Sequence, residues 1–572
     1  MRSVALGSVV VLALALVLPG CGSCGSGTGG TAASDAAATS FPPVPTPDGL
    51  VAQGWVRAPD ALWARVQNGV SGAVALLPPD VGSLVCAAVG LDARVAPLVD
   101  GKGTSYFVAA DAGAAGLTWA AALPLKDVQE ARTVLLGGDG SAAYTARAED
   151  GMQVLARAGK PLDAAAALAG KGWLVVAQDD AALARLGPYA WRTMPTLPPP
   201  DSPAAVVAQV PGAALAGPLA SHARERWAES RRWLEEADRE QRERHGGRAP
   251  DFGDPRAIIA SLDALVQRRI AFVSQGRGAR VEADAGENDL HVDVRLTPGP
   301  AEAGADLVAA MRPGDERPMG ALPADTLFAM LSRSDAPMRA EDAADAKAAV
   351  VGALGDKASP DDRKAFERTI DDWTAARGDW MTAAIAWGAD RGLMLRTPSS
   401  SAGPAVMREW IDLTRRPVLA DPLRSLFQVR APTVTTASVP DVTDATLAAF
   451  APPKGPALGI AWGMHDGELL VAAGEHAPKL LGNAATPPAR LGDDLRVSAA
   501  LAALGSDASF TVVAEPLRLD ATRAASARPA GAENEAAAAL VFGWGRRGGD
   551  AWARVDVADE LLRELVRMKA GL

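Results

Sequence analysis

Apolar positions along the chain follow two periodicities, one typical of strands and one typical of helices. Alternating or continuous apolar runs bounded by Gly and Asp predict strands, and these runs cover residues 104–109, 117–123, 143–148, 152–157, 173–178 and 204–210. The apolar run 84–89 is also predicted to be a strand. Asp150-Gly151 and Asp466-Gly467 predict two-residue hairpin turns, because both central positions of such turns need positive φ.

Helical periodicity is clearest over residues 360–376. Ser359 is suited to cap this helix and Pro360 to begin it, and Phe366, Ile370 and Trp373 recur at i, i+4 and i+7 on one face. Similar patterns predict helices over 126–136, 180–186, 404–415 and 559–568. Strands joined mostly by hairpins, with helices between them, favour an α+β fold with a mainly antiparallel sheet and packed helices.

The chain resembles itself at four places in the same order, which predicts two tandem related domains. The matched segments are 77–89 with 322–331, 172–187 with 467–482, 205–209 with 511–515, and 292–294 with 555–557. The alternative is that any Ala/Val-rich chain with regular strands aligns to itself. Because residues 312–318 form a polar, turn-rich stretch, we place the two domains at 48–312 and 313–572.

The segment 219–248 of the predicted first domain consists largely of Arg and Glu. Oppositely charged residues recur at i, i+4, which stabilises a helix, as in Glu235–Arg239, Asp238–Arg242 and Glu240–Arg244. Its narrow apolar stripe comprises Ala223, Trp227, Leu234 and Ala237. We expect a solvated helix that lies across the domain by this stripe, with a partner-docking or coiled-coil helix as the alternative. Its charges balance, which disfavours anionic lipid and nucleic acid as ligands.

The first residues have the pattern of a secretory leader. Arg2 is followed by an apolar run over 9–18, which is shorter than the roughly 20 residues needed to cross a bilayer as a helix. Such a run is typical of the hydrophobic region of a signal peptide. Residues 22–47 are rich in Gly, Ser, Thr and Ala and then in Pro, a composition typical of a flexible and then stiffer spacer.

Leu18, Gly20 and Cys21 resemble the signal-peptide end of bacterial lipoproteins, although Pro19 stands where Ala or Ser is usual. The resemblance implies that residues 1–20 are a signal peptide, that Cys21 carries fatty acids such as palmitate, and that residues 21–47 tether the protein to a membrane. The residue after Cys21 is Gly22 rather than the Asp that acts in some bacteria as an inner-membrane retention signal. The resemblance therefore favours sorting of the protein to the outer membrane. The alternatives are release by the ordinary signal peptidase and a chance occurrence of Cys21 and Cys24 in a linker.

Composition excludes several classes of protein. The chain has 572 residues, 48% of them hydrophobic, and a net charge of −11 from 57 Lys+Arg and 68 Asp+Glu. These values argue against wholesale disorder and against nucleic-acid binding. With 3 Cys, no disulfide framework or Cys-built zinc site is expected. Cys86 is expected to be a buried, inert thiol, and a Cys24–Cys86 disulfide is the alternative.

Motifs for catalysis or cofactor binding are weak. The five His form no helical metal motif, and His465-Asp466 with Glu475-His476, on either side of one predicted strand, is a weak candidate metal group. Residues 138–143 and 101–105 have Gly-rich patterns but are better explained as turns. The 14 Trp are expected to pack in the core, with an aromatic-lined cleft as the alternative. We therefore expect no catalytic residue, metal or cofactor.

These observations predict a membrane-anchored envelope lipoprotein with a non-catalytic binding or scaffolding role, facing the periplasm or the exterior. Its expected partners are the membrane and another envelope protein. One alternative is a carrier of a lipid or other hydrophobic ligand. Another is a hydrolytic enzyme that uses acidic pairs, for which the sequence offers Asp179-Asp180, Asp361-Asp362, Asp371-Asp372 and Asp493-Asp494. Adjacent acidic residues at helix starts are more often caps.

Overall fold

Ten strands of the first part of the chain form one antiparallel arrangement. The structure is a computed structural model that describes residues 41–69, 77–113, 116–137, 144–157, 162–170, 172–244, 255–286, 289–299, 308–386, 391–427, 431–451, 457–516 and 539–563. It divides into two units, and the first comprises Met1–Ser221, Val273–Thr297 and Val557–Leu572. Its strands are β1 Leu50–Arg57, β2 Thr104–Asp111, β3 Leu117–Pro124, β4 Tyr144–Glu149, β5 Met152–Arg157, β6 Ala165–Ala169, β7 Trp173–Ala177, β8 Val206–Pro211, β9 Gly278–Ala285 and β10 Asp289–Thr297. They pair in the order β4-β5-β6-β7-β3-β2-β1-β8-β9-β10.

Four α-helices of nine or more residues accompany these strands in the described part of the unit: α1 Pro59–Gly69, α2 Val81–Val89, α3 Val128–Leu136 and α4 Asp180–Pro188. They cover both faces of the sheet, as β7 illustrates. Leu174 belongs to a core cluster that includes Leu135 of α3. Val175, the next residue, belongs to a second cluster that includes Leu183 of α4. Burial on both faces explains why these strands read as continuous apolar runs rather than as alternating ones.

The second unit comprises His222–Phe272 and Pro298–Asp556. Its longer helices are α5 Ala220–Arg244, which begins two residues earlier, α6 Pro255–Ser274, which ends two residues later, α7 Ala336–Leu354, α8 Pro360–Ala376, α9 Gly403–Leu413, α10 Pro417–Phe427, α11 Ala477–Ala485 and α12 Leu495–Leu504. Its strands are β11 Thr326–Arg333, β12 Trp380–Ala386, β13 Gly392–Pro398, β14 Thr433–Thr436, β15 Thr443–Phe450, β16 Leu458–His465, β17 Glu468–Gly474, β18 Ala508–Ala514, β19 Leu540–Arg547 and β20 Asp550–Ala558, which ends two residues beyond the unit.

The strands of the second unit pair in the order β14-β15-β16-β17-β13-β12-β11-β18-β19-β20. Adding ten to each strand number of the first unit gives this same order. Helices also cover both faces of this sheet, because successive residues of β17 belong to different core clusters. Leu469 packs with Ile411 of α9, and Leu470 packs with Leu481 of α11. The two units therefore share one strand order and one way of covering the sheet.

The predicted α+β class with antiparallel strands is confirmed. Each of the six long predicted strand runs coincides with one of the strands β2 to β5, β7 and β8. The predicted helix over 360–376 is α8, and Ser359 and Asp362 form its capping box. Both predicted hairpin turns have the required backbone, with φ of 49° and 78° at Asp150 and Gly151 and of 48° and 79° at Asp466 and Gly467.

The strand predicted over 84–89 is wrong, because these residues belong to helix α2. Asp80 caps the helix by accepting the Ser83 N–H, and Gly90 ends it in the left-handed region. A short apolar run does not by itself distinguish a buried strand from a buried helix, and here the caps decide. The self-match of 77–89 with 322–331 therefore joins a helix to strand β11. The other three matches fall on β7 and β17, β8 and β18, and β10 and β20.

The charged segment forms the predicted helix over Ala220–Arg244, which is α5, while residues 245–248 lie outside the described residues. From His222 onward it belongs to the second unit rather than the first. Trp227 donates through Nε1 to Asp263 of α6 at 2.6 Å, and Arg231 contacts the same carboxylate at 3.1 Å. The predicted pairs Asp238–Arg242 and Glu240–Arg244 are formed. Glu235 pairs instead with Arg231 at 2.8 Å. Of the predicted stripe, Trp227 and Leu234 are half-buried, whereas Ala223 and Ala237 are exposed.

Candidate functional site

The acidic pairs that the sequence offers for catalysis are used largely at helix ends. Asp179 caps α4 by accepting the N–H of Ala182 at 2.7 Å. Asp362 accepts hydrogen bonds from Ser359 at the start of α8 and forms an ion pair with Arg416 at 2.9 Å. The hydrogen bond from Arg416 lowers the pKa of the Asp362 carboxyl, which favours a permanently ionised structural group over a proton donor.

The remaining acidic pairs have similar partners. Asp371 forms an ion pair with Lys347 of α7. Asp494 caps α12 by accepting the backbone N–H groups of its first turn, and Asp493 accepts the N–H of Arg490 at 2.8 Å. Carboxylates at helix starts satisfy backbone donors that otherwise lack a partner. Their positions therefore do not favour the hydrolase alternative.

The candidate metal group around His465 and His476 is not assembled. The two residues flank strand β17, whose seven residues extend over about 23 Å at the usual rise per residue. His465 Nδ1 lies 2.7 Å from the backbone oxygen of Asp441, and His476 occupies the N-cap position of α11. The Gly-rich segment 101–103 forms a turn in which Asp100 accepts the N–H of Lys102. Residues 138–143 lie outside the described residues.

Most of the described tryptophans pack in the core or against it. Trp462 is 1% exposed and donates through Nε1 to the Pro404 carbonyl at 3.1 Å. Trp119, Trp173, Trp373 and Trp410 are partly buried against core clusters, and Trp387 lies outside the described residues. Trp233 on α5 is an exception, because 62% of it is exposed.

An open cleft of about 540 Å³ lies on the first unit. Its lining includes Arg157, Asp163, Gln178, Asp179 and Asp180. Five of its ten lining residues are apolar, among them Leu155 and Leu162, so the lining does not distinguish a polar from an apolar ligand. The cleft therefore does not favour the carrier alternative.

A buried acid–base group lies in the second unit. Glu316 accepts a hydrogen bond from Thr511 at 3.0 Å and lies 3.8 Å from Arg333, with side chains only 8% and 7% exposed. Its second carboxylate oxygen, Oε2, is buried without a hydrogen-bond partner among the described residues. Burial raises the pKa of Glu316 to about 7, against the lowering effect of the Arg333 charge. Sequence analysis missed this group, because Glu316 lies in a polar turn where nothing signals burial.

Arg333 has a counterpart in the first unit. It is the last residue of β11 and donates to the backbone oxygens of Asp315 and Ala508, the latter at the start of β18. Arg57 is the last residue of β1 and donates to the carbonyls of Ser202 and Pro200, which precede β8. In both units an arginine at the end of a central strand therefore holds the chain where the neighbouring strand begins.

Large exposed hydrophobic side chains concentrate on α5 and α6. Nine such side chains occur in the described residues: Phe41, Trp233, Ile258, Leu262, Leu265, Val273, Leu393, Leu458 and Leu495. Five of them, Trp233, Ile258, Leu262, Leu265 and Val273, lie on this helical pair. Exposed apolar side chains that cluster, rather than occur singly, mark interaction surfaces. The sequence contained a signal for this face, the i, i+4, i+7 spacing of residues 258, 262 and 265, which sequence analysis did not use.

Comparison with known proteins identifies no relative, since no protein-family model, curated protein or solved structure matches the chain. Within the described part of the chain, none of the helices combines the length and hydrophobicity needed to span a bilayer. The residues around Cys21 lie outside the described part.

Proposed function

We propose that this protein is a lipid-anchored envelope protein with a non-catalytic binding or scaffolding role. The observation that carries the proposal is the order of segments in the sequence. A short apolar leader is followed by Leu18, Gly20 and Cys21, and a segment rich in Gly, Ser and then Pro separates Cys21 from the folded units. This order suits a protein held at a membrane surface by acyl chains, of which two or more are needed for stable binding.

The structure contributes two features in support of a binding role. Acidic residues that the sequence offered for catalysis have structural partners at helix ends or in ion pairs. The exposed apolar side chains Ile258, Leu262 and Leu265 of α6 provide a surface suited to contact with another component of the envelope.

Labelling with radioactive palmitate in living cells tests the anchor. We expect label in the natural chain and in a Cys24→Ala variant, and none in a Cys21→Ala variant. The Cys21→Ala variant should also leave the membrane fraction, because it lacks the acyl chains that hold the natural chain there. Label that persists without Cys21, or equal membrane association of the two variants, would contradict the proposal.

We also propose outer-membrane sorting, on the basis that Gly22 follows the acylated cysteine. Density-gradient separation of inner and outer membranes should place the natural chain in the outer-membrane fraction. A Gly22→Asp variant should move towards the inner membrane, whereas Gly22→Ala should not. An unchanged distribution of the Asp variant would refute this part of the proposal.

The shared strand order leads us to propose that the two units arose by internal duplication. Arg57 and Arg333 occupy equivalent strand ends and hold equivalent backbone segments. Three of the four sequence matches fall on equivalent strands. Sequences of related proteins, aligned unit against unit, should keep arginine at both positions, and unrelated residue preferences there would contradict a common origin.

A further inference from the structure

The last residues of the predicted tether lie on the first unit. Residues 41–47, which we call the strap, have the sequence Phe-Pro-Pro-Val-Pro-Thr-Pro and belong to no helix or strand. Val44 and Pro47 are half-buried, whereas the residues between Phe41, Val44 and Pro47 are exposed. A polyproline II helix has three residues per turn. Contacts at every third residue are therefore those of a polyproline II segment that lies with one edge on the protein.

The backbone of the strap is held by a π-helical turn over Tyr189–Thr193, which follows helix α4. Thr193 Oγ1 accepts the Val44 N–H at 2.9 Å and donates to the Val44 carbonyl at 2.8 Å. The Val44 side chain packs against the core cluster that includes Trp191. One hydroxyl group therefore engages both backbone groups of the central strap residue.

The Phe41 side chain is held by the same turn. Its ring meets the Trp191 ring edge to face, with centroids 5.2 Å apart. The Arg192 guanidinium lies over both rings, 5.0 Å from the Phe41 centroid and 4.9 Å from the Trp191 centroid. Arg192 is itself fixed by hydrogen bonds to the backbone and the carboxylate of Asp150. The site thus offers an aromatic ring and a cation, both of which attract an aromatic side chain.

Two glycines leave room for these rings. A Cβ on Gly151, in the hairpin turn after β4, would lie 2.7 Å from the Phe41 ring. A Cβ on Gly170, at the end of β6, would lie 2.8 Å from the Trp191 ring. Three separate segments of the first unit therefore shape the site around Trp191 and its ligand.

Two buried donors of the site are left unsatisfied by the strap. Trp191 Nε1 and Arg192 Nε have no hydrogen-bond partner within the part of the chain that the structure describes. Trp191 is 7% exposed, and the side chain of Arg192 is also 7% exposed. A buried donor without an acceptor is costly. Because a polyproline II backbone uses none of its carbonyls internally, another segment of this kind can supply the missing acceptors.

We propose that Trp191, Arg192 and Thr193 form a recognition site for proline-rich extended segments, which the strap occupies and at which a proline-rich segment of another envelope protein binds in its place. This inference rests on the proposed binding role, which it deepens by naming the chemistry of the partner. Proline-rich segments dock on aromatic surfaces because their extended backbone is already ordered before binding. The strap competes as an intramolecular ligand at high effective concentration, so it is an autoinhibitory contact.

Calorimetric titration with a peptide tests the proposal. The parent is the mature chain with Cys21→Ser, which carries no acyl chain, and the probe is a synthetic peptide with the sequence of residues 41–47. The strap variant carries Phe41→Ala and Val44→Ala, which remove the strap side chains that contact the site. Thr46→Ala, at an exposed position of the strap, is the matched control.

We expect the strap variant to bind the peptide about ten-fold or more tightly than the parent, because it lacks the competing intramolecular ligand. The Thr46→Ala chain should bind as the parent does. Adding Thr193→Val to the strap variant should weaken binding by about ten-fold, because two hydrogen bonds are lost. A peptide with alanine in place of phenylalanine and valine should also bind more weakly, which tests the site without altering the protein.

Equal binding by the parent and the strap variant, or no binding by either, would overturn the proposal. Binding that is indifferent to both Thr193→Val and the altered peptide would do the same. A dimer in sedimentation velocity that the strap variant does not form would overturn the assignment to another protein, because the site would then hold the strap of a second copy.

These outcomes are independent of the anchor. Palmitate labelling of Cys21 can fail while the unacylated strap variant still binds the peptide. Conversely, labelling can succeed while no chain binds the peptide. The two proposals therefore fail separately.

Discussion

The buried carboxyl of Glu316 should make the stability of the second unit depend on pH. Its pKa rises from an ordinary value of 4.5 to about 7, mainly because burial penalises the ionised form. The folded state therefore binds a proton more tightly than the unfolded state does. The protonated group stabilises the fold fully below about pH 4.5, and this contribution is lost as the pH rises through 7. A shift of this size corresponds to about 3 kcal/mol.

Glu316→Gln removes the ionisation and keeps a carbonyl that can accept the hydrogen bond from Thr511. Urea unfolding, followed by tryptophan fluorescence at pH 5 and pH 8, measures the effect. We expect the variant to be more stable than the natural chain by about 3 kcal/mol at pH 8 and by less than about 1 kcal/mol at pH 5.

An exposed glutamate provides the control for this comparison. Glu236 is 63% exposed and lies 3.9 Å from Arg239, so Glu236→Gln should change stability by no more than about 0.5 kcal/mol at either pH. If the natural chain and Glu316→Gln lose equal stability between pH 5 and pH 8, Glu316 does not carry the pH dependence. The account of its burial would then be wrong.

Three further predictions concern stability and reactivity. Arg333→Met leaves Glu316 without its cation and should destabilise the second unit by about 3–5 kcal/mol in urea unfolding at pH 8. A double variant that also carries Glu316→Gln should recover part of this stability. If it recovers none, the two groups are not coupled. Gly467→Ala should lower the free energy of unfolding by about 1–2 kcal/mol, because φ is +79° at this position and an L side chain disfavours that conformation. The added Cβ meets no neighbour, so the loss comes from the backbone alone. Gly217→Ala is the control, because this glycine also has open space around it but no positive φ, and it should be neutral or stabilising in the same assay. Cys86 is 2% exposed and burial raises its pKa to about 12, so iodoacetamide should modify it in urea but not in the native chain; rapid native labelling would contradict this.

Local patterns in the sequence predicted much of the sheet. Strands such as β5 and the hairpin at Asp150-Gly151 follow from local residue choice, because period-two alternation and Asp-Gly turns act over a few residues. Strand β6, with the sequence AAALA, was missed because alanine favours helices and a strand there depends on the neighbours β5 and β7. The α2 residues show the converse, since an apolar run alone left the helix unrecognised.

The candidate sites were less accessible to sequence reasoning. Burial of Glu316 depends on Arg333 and Thr511, which are 17 and 195 residues away along the chain, so no local pattern announces it. The exposed face of α6 has a helical spacing that sequence alone would assign to a core, because apolar residues at i, i+4 and i+7 normally face inward. Only the three-dimensional structure shows that Ile258, Leu262 and Leu265 are exposed.

The most direct test of the proposed anchor is the mass of the amino-terminal peptide of protein purified from its native membrane. The proposal predicts that the chain begins at Cys21, with diacylglycerol on the cysteine sulfur and an added mass equal to the attached fatty acids. A chain that begins at Met1, or an amino-terminal peptide that contains Cys21 as a free thiol, would contradict it.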